Sequence, residues 1–265
     1  LVWGVRVSDF DPGQYGWMGC LESRLETWLA KFPDLIICNS WKGLSLVRQR
    51  GFPESSTTCV PNGIDTERFR PDPLAGARMR AQWGIASGRF VLGLVGRLDP
   101  VKNHPAFIAA AARLVAEFPE LDFVCVGPGP DAYRQHLQAL SDAAGLSGRM
   151  IFPGGCRDMP AAYNALDVFV SASLSEGSPN VLGEAMACGV RAITTDVGDA
   201  AWLMADYGEV VPPGDEEALY LAMRRACLQR TRPERDPRER IIQVFDVTFL
   251  EQRTVALLSA LPGMK

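Results

Sequence analysis

The sequence predicts an α/β protein built on a parallel sheet with helices on both faces. From Phe90 onward, short apolar runs recur at 90–95, 122–126, 150–152, 167–171, 191–195 and 209–211. Between most of them lie stretches with helical spacing, at 105–118, 131–144, 158–166 and 179–188. Strands buried on both faces read as continuous apolar runs, and their alternation with helices of about 10–15 residues argues for a parallel sheet. No repeat and no low-complexity segment competes with that pattern.

Composition narrows the function classes. At 265 residues, 47% apolar and 22% charged, the chain suits a globular enzyme of one large or two modest domains. A net charge of −4 leaves no nucleic-acid footprint. The seven cysteines show no Cys-x-x-Cys pair. Most, such as Cys38 and Cys125, lie in apolar runs and read as reduced core thiols of a cytosolic protein. With two histidines, a histidine-based metal site is not expected; His104 reads as a helix-start residue and His136 as a helix-surface residue. No stretch is long enough to span a bilayer and none resembles a signal peptide. Leu1 opens inside an apolar run, as in a chain entered partway through.

In chain order, Leu1 to Val7 reads as a strand, Ser8 to Gly16 as turn material, and Trp17 to Lys31 as a helix with apolar residues at helical spacing. Leu35 to Asn39 is a short buried strand, and Ser40 caps a helix from Trp41 to about Arg50, stopped by Gly51. Thr57 to Val60 is a strand leading into the tight turn Pro61-Asn-Gly-Ile-Asp65. Pro71 and Pro73 make this region the expected boundary between residues 1–64 and 65–265. The strands before it are apolar enough to need sheet neighbours that the chain is not expected to supply. The arginine-rich stretch Arg224 to Arg240 is interleaved with Glu234, Asp236 and Glu239 and reads as a solvated loop.

Two stretches carry the chemistry. Glu176-Gly-Ser-Pro-Asn-Val-Leu-Gly-Glu184 follows an apolar strand and opens a helix closed by Gly189. Ser178 is the expected N-cap and Pro179 the first helical residue. Free N–H groups at such a helix start favour an anion, phosphate above all. Glu184 lies more than one turn inside the helix, so an adjacent acid–base pair with Glu176 is not expected. Two acceptors around an anion-binding helix end suit a polyhydroxylated ligand carrying phosphate; the alternative is two surface glutamates. Gly96-Arg-Leu-Asp-Pro-Val-Lys102 ends the first strand of the sheet, where ligands of open parallel sheets bind. Arg97 offers a fork of donors and Lys102 a point charge, which suits a diphosphate, against the alternative of two solvated cations. Gly127-Pro-Gly-Pro130 lacks the third glycine of a dinucleotide fingerprint and reads as structural.

The stretch from Glu176 to Gly189 resembles the paired-glutamate motif of retaining glycosyltransferases of family four, which have the GT-B fold. By that resemblance Glu176 contacts the donor sugar. The backbone of Gly177, Ser178, Pro179, Asn180 and Val181 holds sugar and phosphate, and Glu184 takes the ribose hydroxyls. The segment from Gly96 to Lys102 is similar to the family's diphosphate grip, with Asn103 where the family usually has glycine; Asn tolerates left-handed backbone better than most residues. Arg157 and Asp158, the latter also an N-cap, fall in a loop that the resemblance places near the nucleobase. Val197 to Trp202 resembles a later family loop, and Pro61 to Asp65 the crossing between the two GT-B domains.

The resemblance implies one complete Rossmann-like donor domain, 65–265, preceded by a remnant of the acceptor-side domain, 1–64. It implies retaining transfer of a hexose-type sugar from a UDP-, GDP- or ADP-linked donor to a glycan or lipid-linked acceptor, with Arg97, Lys102 and Glu176 serving catalysis and no required metal or cofactor. The expected location is cytoplasmic or peripheral to the inner membrane face, with no transmembrane segment and no nucleic-acid partner. Membrane contact would fall to an N-terminal domain of which this chain carries little, and the chain alone is expected to bind donor while transferring poorly. Two rivals stay open: a nucleotide-sugar epimerase or phosphorylase of the same fold, and a nucleotide-sugar-binding module without transfer.

Overall fold

The computed structural model describes residues 1–6, 16–230 and 235–261. Apart from Gly16, the expected turn over 8–16 lies outside the described residues. Strands β1 (Val2–Val5), β2 (Leu35–Cys38) and β3 (Thr57–Cys59) form a parallel sheet in the order β1-β2-β3. Helices α1 (Gly16–Leu29) and α2 (Trp41–Gln49) connect them. The expectation that these strands lack neighbours is therefore corrected for β2, while β1 pairs with β2 alone and lies at the sheet edge. β2 is paired on both sides, because α1 and α2 are long enough to serve as crossovers that return the chain in parallel.

The second sheet holds β4 (Phe90–Val95), β5 (Leu121–Val126), β6 (Met150–Gly154), β7 (Val168–Ser171), β8 (Arg191–Thr195) and β9 (Glu209–Val211). All pair in parallel, in the order β6-β5-β4-β7-β8-β9. The chain starts in the middle, runs to one edge, then returns to build the other half. The strand order thus reverses between β4 and β7, which opens a crevice beyond their carboxyl ends.

Alternating strand residues feed two cores. Leu92, Leu94, Phe123, Cys125, Val168 and Val170 face one side, packing with α4 (His104–Glu117), α5 (Asp131–Ala143) and α9 (Glu216–Leu228). Val91, Val95, Val124, Val126 and Phe169 face the other, against α6 (Met159–Asn164), α7 (Asn180–Ala187), α8 (Ala200–Met204) and α10 (Pro237–Val244). A fully buried Leu or Phe contributes about 1.5–3 kcal/mol, so the central strands anchor the loops at their ends.

Pro71 precedes a helix, α3 (Pro73–Gln82); Pro73 takes its first turn, where no N–H is needed, and Asp72 caps the Ala75 N–H at 2.9 Å. Two local expectations are corrected. Arg224 to Arg240 is not a solvated loop among its described residues, because it contains the end of α9 and the start of α10. Arg224 pairs with Glu117 at 2.8 Å, and Arg238 donates to the carbonyls of Thr66, Phe69 and Ala187. Ser178 is not the N-cap of α7: Pro179 holds that place at φ −78° and ψ 85°, and its carbonyl accepts from Leu182 at 3.0 Å. An extended ψ at Pro179 delays the helix by one residue.

The segment 61–64 follows β3 and is tied to the C-terminal helices. Ile64 donates its N–H to Phe245 and its carbonyl accepts from Val247, the first residue of α11 (Val247–Ser259). Ile64 also lies against Gly183 of α7, where a Cβ would come within 2.9 Å of it. Among the described residues no helix is long and apolar enough to cross a membrane.

Candidate functional site

The crevice beyond β4 and β7 is where two of the predicted motifs meet. After β4 the chain passes Gly96 and Arg97 and enters a short 3-10 turn, Pro100–Lys102, capped by the Asp99 carboxylate on the Val101 N–H at 3.0 Å. Asn103 then adopts the left-handed conformation, φ 53° and ψ 45°, and α4 starts. That is the conformation for which glycine is favoured and which asparagine tolerates.

This loop leans on the one after β5. A Cβ on Gly127, at φ +157°, would lie 1.8 Å from the Gly96 carbonyl oxygen, and Leu98 donates to the Pro128 carbonyl at 2.8 Å. The glycine turn at 127–130 is thus a support for the Arg97–Lys102 loop, in keeping with its reading as structural.

Across the crevice, the loop after β7 carries Glu176. Lys102 Nζ and Glu176 Oε1 form an ion pair, both side chains largely buried. Ser173 Oγ donates to the same Glu176 oxygen at 2.8 Å, and Leu174 N–H donates to the Val101 carbonyl at 2.8 Å. The two loops are thereby joined by backbone and by charge at the point where the strand order reverses. Arg97 behaves differently: its side chain is 73% exposed, with Asp99 3.8 Å away. A long exposed guanidinium at the lip of a crevice can turn toward an anion at small cost, because it gives up no tight partner to do so.

α7 begins immediately after this loop, so its N-terminal N–H groups face the crevice. Glu184 lies four residues into that helix, about 6 Å along the axis at ~1.5 Å per residue. Its carboxylate accepts from Tyr163 Oη at 2.6 Å, and Tyr163 is fully buried between Phe69 and Phe169. Burial raises the Glu184 pKa above its ordinary value, partly opposed by the tyrosine hydrogen bond and by Arg68. Glu176 and Glu184 therefore have separate partners.

Arg157 and Asp158 lie beyond β6, two strands from β4 on the same carboxyl edge, and both are exposed. The Asp158 carboxylate caps α6, accepting from Ala161 N–H at 3.2 Å. The structure thus brings the loop of Gly96, Arg97 and Lys102 against the loop of Glu176 and Gly177, with Ser178, Pro179, Asn180 and Val181 leading into α7; Glu184 sits a turn deeper, and the 157–158 loop lies beyond β6.

Sequence reasoning missed two residues at this site. Tyr163 lies 21 positions before Glu184 on another helix, and only its place in an apolar stretch hinted at burial. Asp199, in a loop recognised only as a whole, reaches α2 and the Glu176 loop together. His104 starts α4 as expected, but it is fully buried with neither ring nitrogen hydrogen-bonded. Burial and nearby Lys102 push its pKa down to about 4. His136 is exposed and stacks on Tyr133, 6.2 Å between centroids.

Comparison with known proteins gives the family and the fold. A family model described as Glycosyl transferases group 1 matches residues 89–229, more than half of the chain. The chain belongs to the group 1 glycosyl transferases. The GDP-mannose-dependent alpha-(1-6)-phosphatidylinositol monomannoside mannosyltransferase of Mycolicibacterium smegmatis is 34% identical over 182 residues, covering 64% of this chain and 47% of its own. The UDP-Gal:alpha-D-GlcNAc-diphosphoundecaprenol alpha-1,3-galactosyltransferase of Escherichia coli is 32% identical over 178 residues, 65% of this chain and 45% of its own. The chain spans about half the length of the curated relatives it matches. Among solved structures, Anabaena HepE in complex with UDP and glucose superposes with a TM-score of 0.85 at 26% identity, covering 98% of this chain and 71% of HepE. HepE in complex with UDP-glucose gives 0.85 at 25%, covering 97% of this chain and 72% of HepE. The fold is the α/β arrangement of GT-B glycosyltransferases.

Proposed function

We propose that this group 1 glycosyl transferase chain binds a nucleoside-diphosphate sugar in the crevice between β4 and β7 and serves retaining transfer of its hexose to an acceptor. The observation that carries the reading is the Lys102–Glu176 pair, which ties two strand-end loops together beside the start of α7. In this reading Arg97, Lys102 and the α7 N–H groups together hold the diphosphate. Glu176 stands beside that place to hold sugar hydroxyls, and Glu184, a turn deeper, to accept from ribose. The complexes of HepE with UDP and with UDP-glucose support this class of donor.

In the reaction so assigned, the bond from the anomeric carbon to the leaving phosphate breaks and the acceptor oxygen bonds to the same face. The acceptor proton passes to the leaving phosphate. Negative charge grows on that phosphate, and Arg97, Lys102 and the α7 start are placed to stabilise it. Residues 65–265 form the donor unit in this reading, and residues 1–64 belong to an acceptor-side unit. Arg157 and Asp158 stand at the nucleobase end. A glycan or lipid-linked acceptor is the class that the names of the mycobacterial and E. coli relatives support.

Titration calorimetry with UDP, GDP and ADP and with their hexose conjugates tests the donor class. One nucleotide family should bind, and Arg97→Ala or Lys102→Ala should weaken the diphosphate far more than the nucleoside. Equal weakening of both would overturn the diphosphate assignment. For transfer, the product anomer decides retention.

A further inference from the structure

Asp199 starts α8 yet does not cap it: its side chain makes no hydrogen bond to that helix. The carboxylate instead reaches the first turn of α2, which lies 157 residues or more earlier and belongs to the other sheet. Oδ2 accepts from Trp41 N–H at 2.7 Å and Oδ1 from Lys42 N–H at 2.9 Å. α2 already has a local cap, since Ser40 Oγ accepts from Gly43 N–H at 3.0 Å. Asp199 is only 5% exposed, while the Trp41 and Lys42 side chains remain at the surface.

The backbone of the same residue holds the loop assigned to the donor. Asp199 N–H donates to the Gly177 carbonyl at 2.9 Å. Gly198, at φ +59°, brings the two loops so close that a Cβ there would lie 2.3 Å from Gly177 O and 2.4 Å from Glu176 O. One residue therefore grips α2 with its side chain and the Glu176–Gly177 turn with its backbone. Trp41 and Trp202 add an edge-to-face contact beside it, 6.1 Å between ring centroids.

We infer that Asp199 is a positioning residue that couples the placement of α2, and with it the three-stranded sheet, to the loop holding Glu176 and Gly177. Movement of that loop on a donor is passed through the 198–199 backbone to two amides of the opposite unit. An ordinary cap would only stabilise its own helix; this carboxylate links two cores. The coupling rests on the donor-site reading for its ligand, but the latch itself can be observed without one.

The test is amide hydrogen exchange on the 265-residue chain, with UDP as probe, for wild type, Asp199→Ala and the near-isosteric Asp199→Asn. Without nucleotide, Asp199→Ala should speed exchange of the Trp41 and Lys42 amides by ~10-fold or more, as expected for loss of charge-assisted hydrogen bonds, and should also speed the 176–178 turn. With UDP, wild type should gain protection both at 176–184 and at 41–42. Asp199→Ala should gain it at 176–184 only, and Asp199→Asn should retain part of the response at 41–42. Protection at 41–42 that persists in Asp199→Ala, or that is absent from wild type while 176–184 is protected, would overturn the coupling. If UDP protects neither region, the donor reading fails for that nucleotide. The nucleotide-free comparison then decides the latch, and a change confined to one of the two regions refutes it.

Discussion

Replacing Tyr163 by phenylalanine removes one oxygen from a fully buried site and leaves the ring contacts with Phe69 and Phe169 in place. The packing loss is accordingly small, and the effect is that of one hydrogen bond, Tyr163 Oη to Glu184 at 2.6 Å. A hydrogen bond to a charged group contributes about 1.5–3 kcal/mol. Arg68 still favours the ionised carboxylate, so about 2 kcal/mol is expected at pH 7. The pH dependence follows from the shift already present. Burial raises the folded-state pKa of Glu184, so the protonated form is favoured in the fold, and stability is lost as pH rises from the ordinary carboxylate value through the raised one. Without the tyrosine, which lowers that pKa, the loss grows. Urea denaturation at neutral pH should show the full deficit of Tyr163→Phe, and denaturation below the ordinary carboxylate range a much smaller one. In binding, a loosened Glu184 should reduce preference for UDP over 2′-deoxy-UDP. A variant as stable as wild type at pH 7, with unchanged preference for the ribonucleotide, would refute both the stabilising bond and the role given to the pair.

Other perturbations separate the remaining roles. Glu184→Gln should weaken nucleotides with or without sugar, whereas Glu176→Gln should chiefly reduce discrimination between nucleotide-sugar and bare nucleotide; calorimetry that finds the reverse exchanges the two assignments. Gly198→Ala should destabilise the chain and loosen the 176–178 turn, because its Cβ would meet backbone at 2.3 Å; an unchanged melting temperature would contradict the close approach. His104, with a pKa pushed down to about 4, is neutral in the fold at pH 7, so acidification from about 6.5 to 4 should remove stability on the order of 3 kcal/mol. His104→Gln should flatten that limb of a pH–stability curve measured by chemical denaturation.

What the sequence determined is local. β-branched apolar runs announced the sheet, and β8 and β9 appear with the bounds read from 191–195 and 209–211 alone. The position of Arg97 and Lys102 after one strand and Glu176 after another needed only the rule that ligands gather at strand carboxyl ends. The left-handed Asn103 was legible only through the resemblance, which sets it where the family usually has glycine, and asparagine tolerates that backbone. Ser178 misled, since propensity ranks it above proline as a cap while the extended ψ of Pro179 sets the helix start. Only the tertiary structure could decide which strand ends become neighbours. The order β6-β5-β4-β7-β8-β9 puts β7 beside β4, and so Lys102 beside Glu176, 74 residues apart. Tyr163 with Glu184, and Asp199 with α2, are likewise pairings between elements whose periodicities carry no information about one another. A helix records in its own sequence which face is buried; what that face meets is settled by packing.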